Sequence, residues 1–177
     1  MSLIDKTYFK RDINIPTGTY DDILESLTRY EPEILEQLLG YGLAKLVLAY
    51  ANPGSDQRII DIVEGKEYTE GDYTVKWNGL KNTAKVSILA YYTYIQYVKD
   101  HSNDFQNVGA AAAVVENGII IPPAVLIQRA SVKLSELAGY PYQDTYAGSL
   151  YNFLKKHSTD YPEWIFNEFH PMNILGI

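Results

Sequence analysis

Cysteine is absent from the 177 residues. That excludes a disulfide framework, a thiolate metal site and a cysteine nucleophile, and it suits a reducing or an oxidising compartment equally. Basic residues are scarce: 15 Lys and Arg stand against 22 acids, for a net charge of −7. No Lys/Arg-rich run occurs, so general nucleic-acid binding, which needs clustered cations against phosphates, is not expected. Long apolar runs are missing too, and none approaches the roughly 18–20 residues that span a bilayer. Met1-Ser2-Leu3-Ile4-Asp5-Lys6 has no basic stretch leading into an apolar one, so no signal peptide is expected. What remains is ordinary globular composition, 46% hydrophobic and 21% charged, in a length that fits one domain over 1–177. The unusual abundance is tyrosine: 16, against 5 Phe and 2 Trp. An apolar ring with a polar tip suits half-buried positions and interfaces.

Periodicity predicts a mainly α fold, a bundle of about five to six helices with one or two small β-hairpins. Residues 1–20 alternate polar and apolar through Asp12-Ile13-Asn14-Ile15 before Pro16 and Gly18, and read as a short strand or an extended N-terminal arm. Thr19 or Asp21 can cap a helix over 22–27, and Pro32 fits the first turn of the next. Its apolar positions run from Ile34 to Tyr50, with Gly40 and Gly42 marking a kink or a close helix approach. Ser55 or Asp56 caps a short helix over 57–64. A hairpin over 68–77 turns at Glu70-Gly71-Asp72. Asn82 or Thr83 caps a helix over 84–100, and 103–109 reads as loose. Residues 108–123 read as an apolar hairpin or loop, because Asn117-Gly118 separates two apolar runs; a helix for Ala110–Ala113 competes. Helices over 124–138 and about 146–157 follow, then one opening at Tyr161-Pro162 and ended by Pro171, with a tail at 171–177.

Catalytic patterns are weak. Asn107-Val108-Gly109 lacks the Lys-Ser/Thr end of a phosphate loop, and Gly40-Tyr41-Gly42 lies in a helical stripe rather than after a strand. His101, His157 and His170 each fall near a predicted helix C-terminus, where an imidazolium meets the macrodipole, and no two have metal-ligand spacing. Glu33 with Glu36, and Asp61 with Glu64, share helical faces but lack the Glu-x-x-His partners of a di-metal bundle, so solvated faces are the simpler reading. Ser131 and Ser149 lack a nucleophile-elbow setting. The expectation is no enzyme, no cofactor and no metal.

Apolar surface is the more informative feature. Residues 110–123 carry one charge and read as a hairpin too apolar for free solvent exposure, to be packed on its own core or against a neighbouring subunit. Tyr91, Tyr92, Tyr94 and Tyr97 go around their helix instead of along one stripe, which fits burial on several sides, an intersubunit side among them. Ile174-Leu175-Gly176-Ile177 is apolar to the last residue, and such an end is expected to dock in cis or on a partner. The candidate oligomer or partner contacts are therefore Val114, Val115, Ile119, Ile120 and Ile121 in the hairpin, Tyr91, Tyr94 and Tyr97 in the helix, and Ile174, Leu175 and Ile177 in the tail.

Three stretches carry a resemblance: Tyr30-Glu31-Pro32-Glu33-Ile34-Leu35-Glu36-Gln37-Leu38-Leu39-Gly40-Tyr41, then 75–82 (Val-Lys-Trp-Asn-Gly-Leu-Lys-Asn) continuing to Ser87-Ile88-Leu89-Ala90-Tyr91-Tyr92-Thr93-Tyr94, and the ending 173–177. Together they resemble head–tail connector, or adaptor, proteins of the virion neck in tailed phages and prophages of Bacteroides-type bacteria. The resemblance spans nearly the whole chain in order, and its motifs are structural, not catalytic. It implies a mostly helical protomer in a homo-oligomeric ring, bound to portal and tail-side proteins, with DNA passing through without specific binding. It implies a virion protein, assembled in the bacterial host cytoplasm, without cofactor or membrane partner. On this reading the segment 108–123 belongs at subunit contacts. A non-viral protein- or peptide-binding module fits the same surfaces, and a small carboxylate- or His-based hydrolase is a further alternative.

Overall fold

A computed structural model describes residues 2–15, 20–50, 54–107, 114–116, 119–139 and 147–165. Among them the fold is mainly helical, with α1 (Tyr20–Leu48), α2 (Gln57–Glu64), α3 (Ile88–Asn107), α4 (Pro123–Ala138) and α5 (Leu150–Lys156). Two antiparallel hairpins complete it. Strands β1 (Lys66–Glu70) and β2 (Tyr73–Trp77) pair from Lys66 opposite Trp77 to Glu70 opposite Tyr73. Strands β3 (Val114–Glu116) and β4 (Ile119–Ile121) pair with Val114 opposite Ile121.

α3 is the central element and packs on both α1 and α4. From Ile88 to Ile95 every side chain is buried, so this helix has no wet face over its first two turns. α1 supplies Ile23, Leu27, Ile34, Leu35, Leu39 and Leu43, all fully buried at helical spacing. It is one run in which Pro32 is interior, not a start. The break comes instead at Gly40, at φ 75 and ψ 157, a conformation that side chains with a Cβ avoid. A kink frees backbone carbonyls, and here the chain satisfies them from outside. The Trp164 indole N–H donates to the Leu38 carbonyl at 3.1 Å, and the Ile165 amide to that of Leu39 at 3.4 Å.

The N-terminal segment differs from the extended arm expected of it. It forms two 3-10 turns, Lys6–Tyr8 and Arg11–Ile13, and buries Leu3, Ile4, Tyr8, Phe9, Ile13 and Ile15 in the core. The alternation in 12–15 is a burial pattern without a strand partner. Helix α3 also starts later than expected. Ser87 caps it, accepting from the Leu89 amide at 3.3 Å. Asn82 instead staples the preceding loop, donating to the Gly79 and Val86 carbonyls and accepting from the Val86 amide. The helix then continues through 103–107, where the polar sequence predicts a loose segment.

The β1–β2 hairpin is latched to the end of α2. The Trp77 indole N–H and the Leu80 amide both reach the Ile62 carbonyl, and the Lys81 amide reaches that of Val63. These are terminal carbonyls that a helix leaves without internal donors. The approach is so close that a Cβ on Gly79 would lie 2.5 Å from the Val63 oxygen, and one on Gly65 would lie 2.4 Å from the Trp77 oxygen. Among the described residues no helix is long and apolar enough to cross a membrane.

Candidate functional site

The predicted contact residues fall in three situations. Val114, Val115, Ile119, Ile120 and Ile121 do form the paired strands of a hairpin. Tyr91, Tyr94 and Tyr97 require a correction. They are 4%, 3% and 9% exposed within the single chain, so they offer no face to a neighbour. Tyrosines surround this helix because α1, α4 and the N-terminal turns surround it. Ile174, Leu175 and Ile177 lie outside the described residues, as does His170.

The groups weighed for chemistry have structural partners. The imidazole Nδ1 of His101 lies 2.8 Å from the Tyr97 carbonyl oxygen, and that of His157 lies 2.9 Å from the Phe153 carbonyl oxygen, each one turn back. His157 is the C-cap of α5, whereas His101 lies inside α3 rather than at its end. Asp61 is buried beside the Lys66 ammonium at 2.7 Å, while Glu64 accepts from the Tyr50 hydroxyl, so this pair does not act on a common point. Ser149 caps α5. Among the described residues no group of three His, Asp or Glu side chains is placed to hold a metal ion.

A different site emerges between the N-terminal turns, the end of β2, the 78–87 loop and α4. Two cavities of about 620 and 640 Å³ adjoin there and share Tyr8, Lys76, Asn78, Asn82, Ala84 and Lys85. Lys10, Arg11 and Lys133 line the first and Lys81 the second. Six of the chain's 15 basic residues thus face one cleft, against three acids, Asp12, Glu64 and Glu136.

The cleft is held rigidly. Tyr8 accepts from the Asn82 amide at 2.8 Å and lies 3.0 Å from its carbonyl, clamping the first 3-10 turn to the loop. The Tyr91 hydroxyl donates to Asp12 at 2.8 Å, fixing the second turn to α3. The Lys85 ammonium sits 4.4 Å above the Tyr8 ring and 3.9 Å from Asp5. Thr7 hydrogen bonding holds the Asp5 carboxyl below its usual range, with Lys85 and Lys81 adding to the effect. Lys133 pairs with Glu136 at 2.7 Å and Lys76 with Glu67 at 3.8 Å. Among the described residues Lys10, Arg11 and Lys81 make no ion pair.

Two backbone outliers single out the same place. Arg11 at φ 62 and Lys85 at φ 58 are the only non-glycine residues with positive φ among those described. This conformation costs on the order of 1 kcal/mol or more for such residues. Both are cations on the cleft wall. Chemically the cleft offers ammonium and guanidinium groups, and burial pushes the Tyr8 and Tyr91 hydroxyls up, away from proton transfer near neutral pH. It is equipped to bind anionic groups. Sequence reading missed it because the cations come from separated segments; the spacing of Lys76, Lys81 and Lys85 was the available signal.

No family model, no curated protein and no solved structure matches the chain.

Proposed function

We propose that this chain is a structural virion protein, a connector subunit that assembles head to tail into a ring between portal and tail. The observation that carries the reading is the β3–β4 hairpin, a pair of strands with an apolar sequence at the segment expected to meet a neighbouring subunit. Such a segment gains stability by being covered, and a neighbouring copy covers it without any change in the body. The ordered resemblance of residues 30–41, 75–94 and 173–177 to neck connectors supports the same reading. On it the protein resides in the virion, is not an enzyme and needs no cofactor.

The test is solution mass by light scattering across a wide concentration range, with electron micrographs of the same fractions, alone and mixed with portal protein. Closed rings are the expected product. Deleting residues 111–121 is expected to leave a folded, helical monomer that no longer assembles. Normal assembly of that variant overturns the role given to the hairpin, and a monomer even on portal protein overturns the ring.

The cation-lined cleft favours a second reading, a non-viral module that binds an acidic protein segment. A monomer that captures acidic peptides and ignores portal protein is the outcome expected of it.

A further inference from the structure

A head-to-tail ring needs two unlike, complementary patches on each copy. With Tyr91, Tyr94 and Tyr97 inside the protomer, the second patch has to come from another element. We propose that the β1–β2 hairpin tip of one copy, Glu70-Gly71-Asp72-Tyr73, seats in the cation-lined cleft of the next copy; this rests on the ring reading above.

The tip is built as a projecting ligand. Its loop is two residues, with positive φ confined to the first, Gly71 at φ 59, as a type II′ turn requires. A Cβ placed on Gly71 would meet nothing within 4 Å. Tyr73 is 76% exposed, more than any other large hydrophobic side chain among the described residues. Glu70 and Asp72 flank it, exposed and without an ion pair among the described residues.

The cleft is the complement. Lys10, Arg11 and Lys81 are exposed without ion pairs among the described residues, and Ile13, Val86 and Leu137 add apolar groups to the lining. The volume is of the size that accepts a compact ligand with one aromatic group. The cations come from three separate segments, residues 10–11, 76–85 and 133, and line two adjoining cavities. A two-pronged acidic tip uses the spread. The tip cannot reach its own cleft, because β2 ends at the cleft wall with Trp77, and the four steps back to Tyr73, at about 3.3 Å each, hold the tip roughly 13 Å away. The occupant is therefore a second copy.

Charge reversal on each side tests this. Lys10→Glu with Lys81→Glu alters the cleft without breaking an ion pair, and Glu70→Lys with Asp72→Lys alters the tip. Each pair is expected to weaken assembly tenfold or more by light scattering, with helical circular dichroism unchanged. All four substitutions in one chain are expected to restore assembly. Wild-type rings with both reversed pairs assembling normally overturn this contact and leave the ring reading standing. Folded variants that fail to assemble and are not rescued by the fourfold chain also overturn it. Monomeric wild-type protein, alone and on portal protein, overturns both readings. Binding of duplex DNA that the cleft variant alone loses, with assembly unaffected, reassigns the cleft to nucleic acid.

Discussion

At the residue scale, the tyrosines act as ties between an apolar interior and carboxylates or carbonyls at its edge. Tyr30 donates to Asp100 at 2.6 Å, Tyr91 to Asp12 at 2.8 Å and Tyr161 to the Arg58 carbonyl at 3.0 Å, while Tyr92 donates to Glu33. The amphipathy of tyrosine was plain in the composition, but its direction was not. Its partners lie 59 to 103 residues away in these four bonds, so nothing local in the sequence separated an inward use from an intersubunit one. The inward use has a consequence in alkali. Burial pushes the hydroxyls of Tyr68, Tyr92 and Tyr94 up to about 12, from an unfolded value near 10. The folded state therefore holds these protons more tightly than the unfolded state does. Their contribution is fully present below pH 10 and is lost as pH rises through 12. Tyrosinate absorbance is expected to rise cooperatively in that window, together with loss of helical circular dichroism. A gradual titration with the helices intact would contradict it. Glu31 gives the acidic counterpart. It is 4% exposed, accepts from the Leu3 amide at 2.8 Å, and burial pushes its carboxyl up. A raised carboxyl contributes most below its unfolded value and loses that contribution as pH rises through the folded one. Glu31→Gln keeps an acceptor for Leu3 and removes the buried charge. It is expected to raise the urea midpoint at pH 7, with the gain shrinking at pH 4.

At the scale of elements, the close approach of Gly65 and Gly79 joins α2 to the hairpin and the cleft loop. Gly79→Ala combines φ 83 with a Cβ 2.5 Å from backbone atoms of Val63 and Glu64. Backbone on both sides leaves no flexible side chain to yield, so the cost is expected to exceed about 2 kcal/mol in urea denaturation. Gly71→Ala separates strain from crowding. It has φ 59 but open space, and about 1 kcal/mol is expected. Equal costs would mean that the latch is not tight. Helices over 57–64 and 124–138 and the hairpin around Gly71 were legible, because a cap, a Pro-Pro start or a glycine turn fixes each locally, although Glu70 pairs with Tyr73 in the strands instead of joining the turn. The sequence misplaced the start of α3 because Asn82 has the chemistry of a cap and spends it on a loop. Residues 6–13 form two 3-10 turns instead of a strand, because burial of the N-terminal segment in the core is a tertiary event that leaves an alternating pattern resembling a strand.

At the scale of the whole molecule, a net charge of −7 conceals a polarised surface, since six cations gather from residues 10–11, 76–85 and 133 around one cleft. No window of the sequence contains that cluster, so a search for basic runs passes over it; folding assembles it. In the proposed ring, polarisation lets two contacts with different physics act together. The β3–β4 hairpin has an apolar sequence, and on the proposed reading its association is expected to strengthen with salts that enhance apolar burial, such as sulfate. The tip–cleft contact is between exposed charges, and screening shortens its range to about 8 Å at physiological ionic strength and about 3 Å at 1 M. Sodium chloride raised from about 0.05 to 0.5 M is therefore expected to weaken assembly several-fold in the wild-type chain. The same change should have little effect on a chain carrying Glu70→Gln and Asp72→Asn, whose starting affinity is already lower. Wild-type assembly that is indifferent to chloride yet strengthened by sulfate would assign the whole contact to the hairpin. Parallel chloride sensitivity in both chains would place the charged contact at acids other than Glu70 and Asp72.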